Sequence, residues 1–465
     1  MILENWIHNR IKNSFNKNYS RKQFGQSPNC LTRKDIEQYQ LDRLIKTLCY
    51  AADNSVFYKP LKDKIAKIDS LESIRHLPFT EPDDLRNSPY KLLCVSLGKI
   101  DRIYSHFTTG TTGKPKKIFF AQQDADAIIE SMAAIMHTVI SDGNDQFCFD
   151  GCRVQIFLPD NAPPLSMAGM IAKGVKNLNG IPLIGQCDSP TRPQIESIKA
   201  FKPDMIMGSA FRIWRITKES ESVFDLADIG VKFVFITSEY LSPAMRKALE
   251  KAWNAKVYHH YGMTEPGFAI GIECTAHQGY HFNECDLYFE IVDFKTGEPI
   301  NNEEEEGELV FTTLNRIGMP LIRYRTGDLA RLIRSPCECG ACTLLRIGEI
   351  PRRKALMVNI GEDDKIYTSL FDDRLYAIPE LIDYRIFITR KDGRNHIKCC
   401  VEVLKNPDDL TARIIGCINS VPSVKKNMEE GLMGNPEIQF VEAGILRRGG
   451  RQQKRRIVDK RYGNR

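Results

Sequence analysis

The chain has 465 residues, of which 42% are hydrophobic and 27% charged, and its net charge is +6. That length exceeds one ordinary core, so two or three domains are expected, with the composition of a globular protein. Fourteen cysteines over such a length exclude a small disulfide scaffold and read as reduced thiols or metal ligands.

The N-terminus, MILENWIHNRIKNSF, lacks the apolar segment of a secretion signal. No apolar run approaches the ~20 residues of a membrane helix. A cytoplasmic protein without a membrane partner is expected. Charge is uneven: nine Lys/Arg and one Asp between Arg447 and Arg465 carry +8, leaving −2 for the rest. A basic tail suits phosphate or nucleic acid. Tyr462 is its only aromatic residue, so a nucleic-acid role is disfavoured.

The first hundred residues read as polar and mostly helical, with a helix over Arg33–Asp53 and proline-broken loops after it. A helix with apolar residues at helical spacing follows over Gln123–Ile140. Short β-like runs then alternate with helical ones: RVQIFLP with MAGMIAKGV, PDMIMGS with FRIWRITKES, VKFVFITSEY with SPAMRKALEKAW. Such alternation predicts a layered α/β fold with partly parallel strands. From Tyr288 to Leu332 short strands and turns predict a small antiparallel or barrel-like unit. A break is expected near IPRRKALM (350–357), and the remainder mixes strands and helices at the size of a separate α+β domain.

Three segments carry chemistry. In YSHFTTGTTGKPKKIFF, Thr108, Thr109, Thr111 and Thr112 surround Gly110 and Gly113, and Lys114 and Lys116 close the run. It is not a Walker loop, because only two residues separate the glycines and Pro115 follows the lysine. Backbone N–H groups, hydroxyls and lysines could still hold a polyphosphate, although a plain hairpin turn has the same composition. In KVYHHYGMTEPGF, Tyr261, Gly262, Met263, Thr264 and Glu265 bring together a ring, close backbone approach, a hydroxyl and a possible Mg²⁺ ligand. In YRTGDLARL, Asp328 follows a glycine turn and could accept the two hydroxyls of a ribose. A strand-to-loop junction and an Asp-capped turn are the plain alternatives for these two.

Taken in this order, TTGTTGKPK, YGMTE and YRTGDL resemble the signature of the adenylate-forming superfamily, within it the phenylacetate–CoA ligase branch. The resemblance implies an α/β fold with a large adenylation domain over 1–350 and a small mobile α+β domain over 351–465. It implies activation of a small or aromatic carboxylic acid by ATP and Mg²⁺ to an acyl-adenylate, then transfer to coenzyme A. On this resemblance Thr108 to Lys116 clasp the β- and γ-phosphates, Ser238 and Glu239 flank the adenine and Tyr261 stacks on it. Thr264 touches the α-phosphate, Glu265 holds Mg²⁺ and Asp328 binds the ribose. Members of the branch are often dimers, so a homodimer is an alternative to a monomer. Transfer to a carrier-protein thiol, or a nucleotide- or nucleic-acid-binding protein that has lost ligase activity, are the rival readings.

Two further stretches, ECTAHQGYHFNEC and CECGAC, bring five cysteines and two histidines together. Branch members have a cysteine before G-x-H and a later C-x-C-G. Matching by residue selects Cys274, His281, Cys337 and Cys339 for a structural Zn²⁺, with Cys342, Cys285 and His277 as substitutes. Two departures from the family stand out. In the hinge segment RIGEIPRRKALM, Arg346, Arg353 and Met357 match, and the two arginines are kept as cofactor-site candidates. The family's glycine there is Arg352 and its acidic pair is Ala355 and Leu356. The C-terminal catalytic lysine has no exact counterpart; Lys454 is nearest, displaced by about a residue, and Arg451 follows the glycine pair.

Overall fold

The structure, a computed structural model, describes residues 1–18, 31–106, 114–141, 147–159, 166–186, 189–353, 356–361, 363–446 and 457–462. By internal contacts the chain divides into two units: 1–184 with 258–349, and 185–257 with 350–465. The division at Glu349/Ile350 falls beside the expected break. Residues 185–257 group with the C-terminal stretch.

In the first unit, an N-terminal helix over Ile2–Asn18 buries Leu3, Ile7 and Ile11, a period of four that places them on one face. The helix over Arg33–Asn54 starts at a capping box, in which Thr32 Oγ1 accepts from the Asp35 N–H and Asp35 accepts from the Thr32 N–H. It buries Ile36, Leu44 and Leu48, each stabilising the fold by roughly 1.5–3 kcal/mol. Strands Arg102–His106 and Lys116–Phe120 form an antiparallel pair in which His106 faces Lys116. The helix over Gln122–Ser141 follows directly, and Asp124 in its first turn accepts the Ala121 N–H. Strands Arg153–Phe157 and Ile181–Ile184 pair in parallel.

The small antiparallel unit consists of strands Leu287–Val292, Gly307–Thr313 and Tyr324–Ala330. Its last pairing shifts register. Glu308 faces Leu329 and Val310 faces Arg325, so the Thr326-Gly327-Asp328 side is longer by two residues. That bulge interrupts the ladder where Asp328 stands.

In the second unit, strands Met205–Ser209 and Phe233–Thr237 pair in parallel and every residue of both is buried, as the apolar runs require. Among the described residues, strands Leu381–Lys391, Arg394–Val403, Glu437–Val441 and Val458–Asp459 form a four-stranded sheet. The helix over Ala210–Ser220 packs against this sheet. Trp214 Nε1 donates to the Ile382 carbonyl at 3.0 Å, and Arg215 grips Glu402 through both Nη atoms at 2.6 and 3.0 Å. No described helix is long and apolar enough to cross a membrane.

Candidate active site

Lys116 opens the strand that leaves the Thr/Gly segment, and its ammonium forms a buried ion pair with Glu265 Oε1. The Tyr324 hydroxyl donates to the same Oε1 at 3.0 Å and lies 3.3 Å from Lys116 Nζ. Three segments far apart in sequence therefore meet at one carboxylate oxygen. Lys116 is 7% exposed and Glu265 3%, so the pair is held away from water, where its attraction is strong but desolvation costly.

The turn carrying Glu265 is built from the strand Lys256–Tyr261 outward. A Cβ on Gly262 would come within 2.2 Å of the Phe268 carbonyl oxygen, so only glycine lets the chain fold back there. The Phe268 N–H donates to the Met263 carbonyl at 2.8 Å and the Gly267 N–H to that of Thr264 at 3.1 Å. Arg316 Nη1 clamps the Glu265 carbonyl at 2.5 Å. His260, just before, is pushed down to about 3 by burial and by neighbouring His259, so it stays neutral at working pH.

Tyr261 donates its hydroxyl to Asp328 Oδ2 at 2.7 Å and reaches Met263 Sδ at 3.8 Å. The Asp328 N–H donates to Thr326 Oγ1 at 3.0 Å, and the Gly327 N–H donates to Glu308 Oε1, also at 3.0 Å. The bulge is thereby pinned with its aspartate against the tyrosine. Two of the three chemical segments, YGMTE and YRTGDL, are thus joined twice, by Tyr324–Glu265 and by Tyr261–Asp328.

Of the remaining candidates, Thr108, Thr109, Gly110, Thr111, Thr112, Gly113 and Lys454 lie outside the described residues. Lys114 is exposed just before the strand at Lys116. Ser238 has φ +74, an uncommon conformation for a non-glycine residue, and Glu239 Oε2 accepts the Phe211 N–H at 3.2 Å; both belong to the second unit. Arg353 lies near the start of the C-terminal stretch, and its carbonyl accepts the Leu356 N–H. Arg346 donates to the carbonyls of Gln278 and Ser335, each at 3.0 Å, and so ties the two Cys/His stretches together. Tyr324 and Arg316 were not singled out from the sequence. Tyr324 stands inside the quoted YRTGDL, and a phenol beside an expected carboxylate was the available signal. Nothing local marks Arg316.

Cys274, His281, Cys337 and Cys339 offer ligand atoms that all lie within 4.8 Å of one another. Cys274 Sγ is 3.5 Å from Cys337 Sγ, and Cys339 Sγ is 3.4 Å from His281 Nε2. The substitutes are engaged elsewhere or exposed: the Cys285 thiol donates to the Ile7 carbonyl, His277 faces Glu273, and Cys342 is exposed. A hydrogen bond from Cys274, opposed by burial and helped by His281, pulls the Cys339 thiol well below its usual value. Soft donors at these separations suit a tetrahedral ion with Zn–S near 2.3 Å.

A family model of AMP-binding enzymes matches residues 36–315, more than half of the chain. The chain belongs to the AMP-binding enzyme family. Among curated relatives of this AMP-binding enzyme, a phenylacetate–coenzyme A ligase of Thermus thermophilus is 28% identical over 373 residues, covering 78% of this chain and 80% of the relative. One from Escherichia coli K12 is 27% identical over 387 residues, covering 81% and 84%. Among solved structures, a 2-hydroxyisobutyryl-CoA ligase in its postadenylation state with R3-HIB-AMP superposes with a TM-score of 0.76 over 96% of this chain and 95% of that one, at 20% identity. The fold of this AMP-binding enzyme is that α/β fold.

Proposed function

We propose that the chain is an AMP-forming acid–CoA ligase. It activates a carboxylic acid with ATP as an acyl-adenylate, releasing pyrophosphate, and passes the acyl group to coenzyme A with release of AMP. The single observation that carries this is the meeting of Lys116, Glu265 and Tyr324 four residues from the Tyr261–Asp328 contact. A cation, a carboxylate, a ring and a ribose-sized acceptor are thereby gathered in one unit. The relatives named above support the same chemistry.

In this proposal Asp328 accepts the ribose hydroxyls and Tyr261 offers its face to the base. Thr264 donates to the α-phosphate. Glu265 would be the residue to hold Mg²⁺, which would supply charge neutralisation at the phosphates. Lys116, beside Glu265, is a cation available to the departing pyrophosphate. Lys454, in the C-terminal stretch, is the candidate for the catalytic lysine. A cytoplasmic location fits these soluble substrates.

The test is ATP–pyrophosphate exchange against a panel of carboxylic acids, followed by AMP release on adding coenzyme A. Acid-dependent exchange is expected. ATP binding without exchange for any acid would overturn the ligase reading.

The Cys/His cluster is proposed as a structural zinc site held by Cys274, His281, Cys337 and Cys339. It clips strand Tyr280–Phe282 to the 337–339 turn, and its four protein donors leave no open position. Elemental analysis of untagged protein is expected to give one zinc per chain, and Cys339→Ser to lower that content together with the melting temperature. A metal-free protein of undiminished stability would sink the proposal.

A further inference from the structure

We propose that a cavity behind Glu265 receives the distal carboxylate of a short dicarboxylic acid, with Arg316 as its receptor; this rests on the ligase reading above and names its substrate class. The cavity measures about 50 Å³ and belongs wholly to the first unit. Pro266 and Gly267, the two residues after Glu265, form one wall, Ala127 and Ile128 a second, and Asn315 and Arg316 a third.

Arg316 is 8% exposed and carries an underused charge. Its one hydrogen bond among the described residues is Nη1 to the Glu265 carbonyl, and its guanidinium lies 4.6 Å over the Phe120 ring. It has no ion pair among the described residues, and burial pushes it down to about 10 despite Asp124, Asp286 and Glu265 nearby. The two aspartates that line the cavity are already satisfied. Asp286 takes Arg10 at 2.6 and 3.0 Å and also accepts from Asn283 and Asn315. Asp124 accepts the N–H groups of Ala121, Ile317 and Gly318. Room beside the guanidinium depends on Gly267, whose φ is +108; a Cβ there would stand 3.0 Å from Arg316 Nη2 and 2.7 Å from Ile128 Cδ1.

A guanidinium with spare N–H donors matches a carboxylate better than any neutral group. The volume equals roughly three to five waters at ~10–15 Å³ each, enough for a carboxylate with an adjoining methylene and too little for a phenyl ring. Pro266, which follows Glu265, lines the cavity, and Arg316 joins the two through the Glu265 carbonyl; the proposal therefore requires a short spacer between the reacting carboxylate and the one Arg316 holds. Only the first forms the C–O–P bond as pyrophosphate leaves; the second keeps its charge.

The experiment pairs calorimetric titration of malonate and succinate with pyrophosphate exchange, on the full chain and on Arg316→Met and Ala127→Leu. The second variant fills the cavity and leaves the Arg316–Glu265 contact alone. Expected are binding of at least one dicarboxylate, weakened at least about tenfold in both variants, and exchange with it that exceeds butyrate and phenylacetate by at least about tenfold in kcat/KM. Exchange that favours butyrate or phenylacetate overturns the cavity proposal and leaves the ligase reading standing. Dicarboxylate binding lost in both variants, with no exchange for any acid, supports the cavity and overturns the ligase reading. Dicarboxylates that do not bind, or that bind the variants as well as the parent, overturn the proposal.

Discussion

Each unit of the molecule buries an ion pair, and the two are built oppositely. In the second unit Arg215 meets Glu402 through a two-pronged contact, and Glu402 Oε1 also accepts the Gly444 N–H. Rigid fork, matched carboxylate and backbone donor leave little for another ligand to do. In the first unit the partner of Glu265 is a lysine, a single point charge on a flexible stem, assisted by the Tyr324 phenol. A single point charge fixes this carboxylate less rigidly than a two-pronged guanidinium fixes Glu402. The difference teaches that two buried ion pairs of equal charge can be held with very different rigidity, so burial and charge alone do not define their roles.

The sharpest way to break this comparison is Glu265→Gln. On the proposed function, loss of this charge is expected to lower pyrophosphate exchange by about 10²–10³-fold. Leaving the Lys116 ammonium buried and unpaired is expected to cost about 3–5 kcal/mol of stability. Adding Lys116→Met is expected to restore much of the stability and none of the exchange. Parental exchange in Glu265→Gln would make this carboxylate as structural as Glu402.

Arg215→Met has the converse profile. Stranding Glu402 in the interior is expected to cost about 3–5 kcal/mol in urea unfolding, with exchange per folded molecule kept within about threefold. Buried Trp214 and Trp253 report the transition by fluorescence. A large loss of exchange at unchanged stability would reverse the assignment of the two pairs.

The acid limb separates them further. Burial works to raise Glu402, but hydrogen bonds from Arg215 and the Gly444 N–H outweigh it, and the net shift is downward. A depressed carboxyl stabilises the fold fully above its ordinary value of 4.5 and loses that contribution as pH falls through the lower folded value. Stability from this pair is thus expected to be level above pH 5 and to fall below about 4.5, with the fall reduced in Arg215→Met. An acid limb of equal size in the variant would assign it to other carboxyls.

The smallest effect expected is that of Tyr261→Phe. It removes one hydrogen bond to Asp328, about 1 kcal/mol, and is expected to raise the KM for ATP about fivefold while leaving kcat nearly unchanged. A fall in kcat alone would place Tyr261 at the reacting phosphate.

Legibility followed the range of the interactions. The helix expected over Arg33–Asp53 stands at Arg33–Asn54 because its cap and apolar period are local. The runs PDMIMGS and VKFVFITSEY contain a parallel pair buried on both sides, as continuous apolar strands must be. The small antiparallel unit likewise appears where short strands and turns were expected. The helix Ile2–Asn18 stands within the stretch expected to be helical and polar, and its buried face follows a four-residue period. Arg316 was illegible, since its partners are a carbonyl 51 residues away and the ring of Phe120.

By itself the sequence determined the segments that could handle a nucleotide, the α/β alternation and the pairs of cysteines able to hold a metal, because spacing and residue type act over a few positions. Only the tertiary structure decided that Lys116 rather than another cation faces Glu265, that Tyr261 meets Asp328, and that four of seven Cys/His candidates converge. Those choices depend on strand register and on a bulge two residues long, which arise when distant segments pack and leave no local mark.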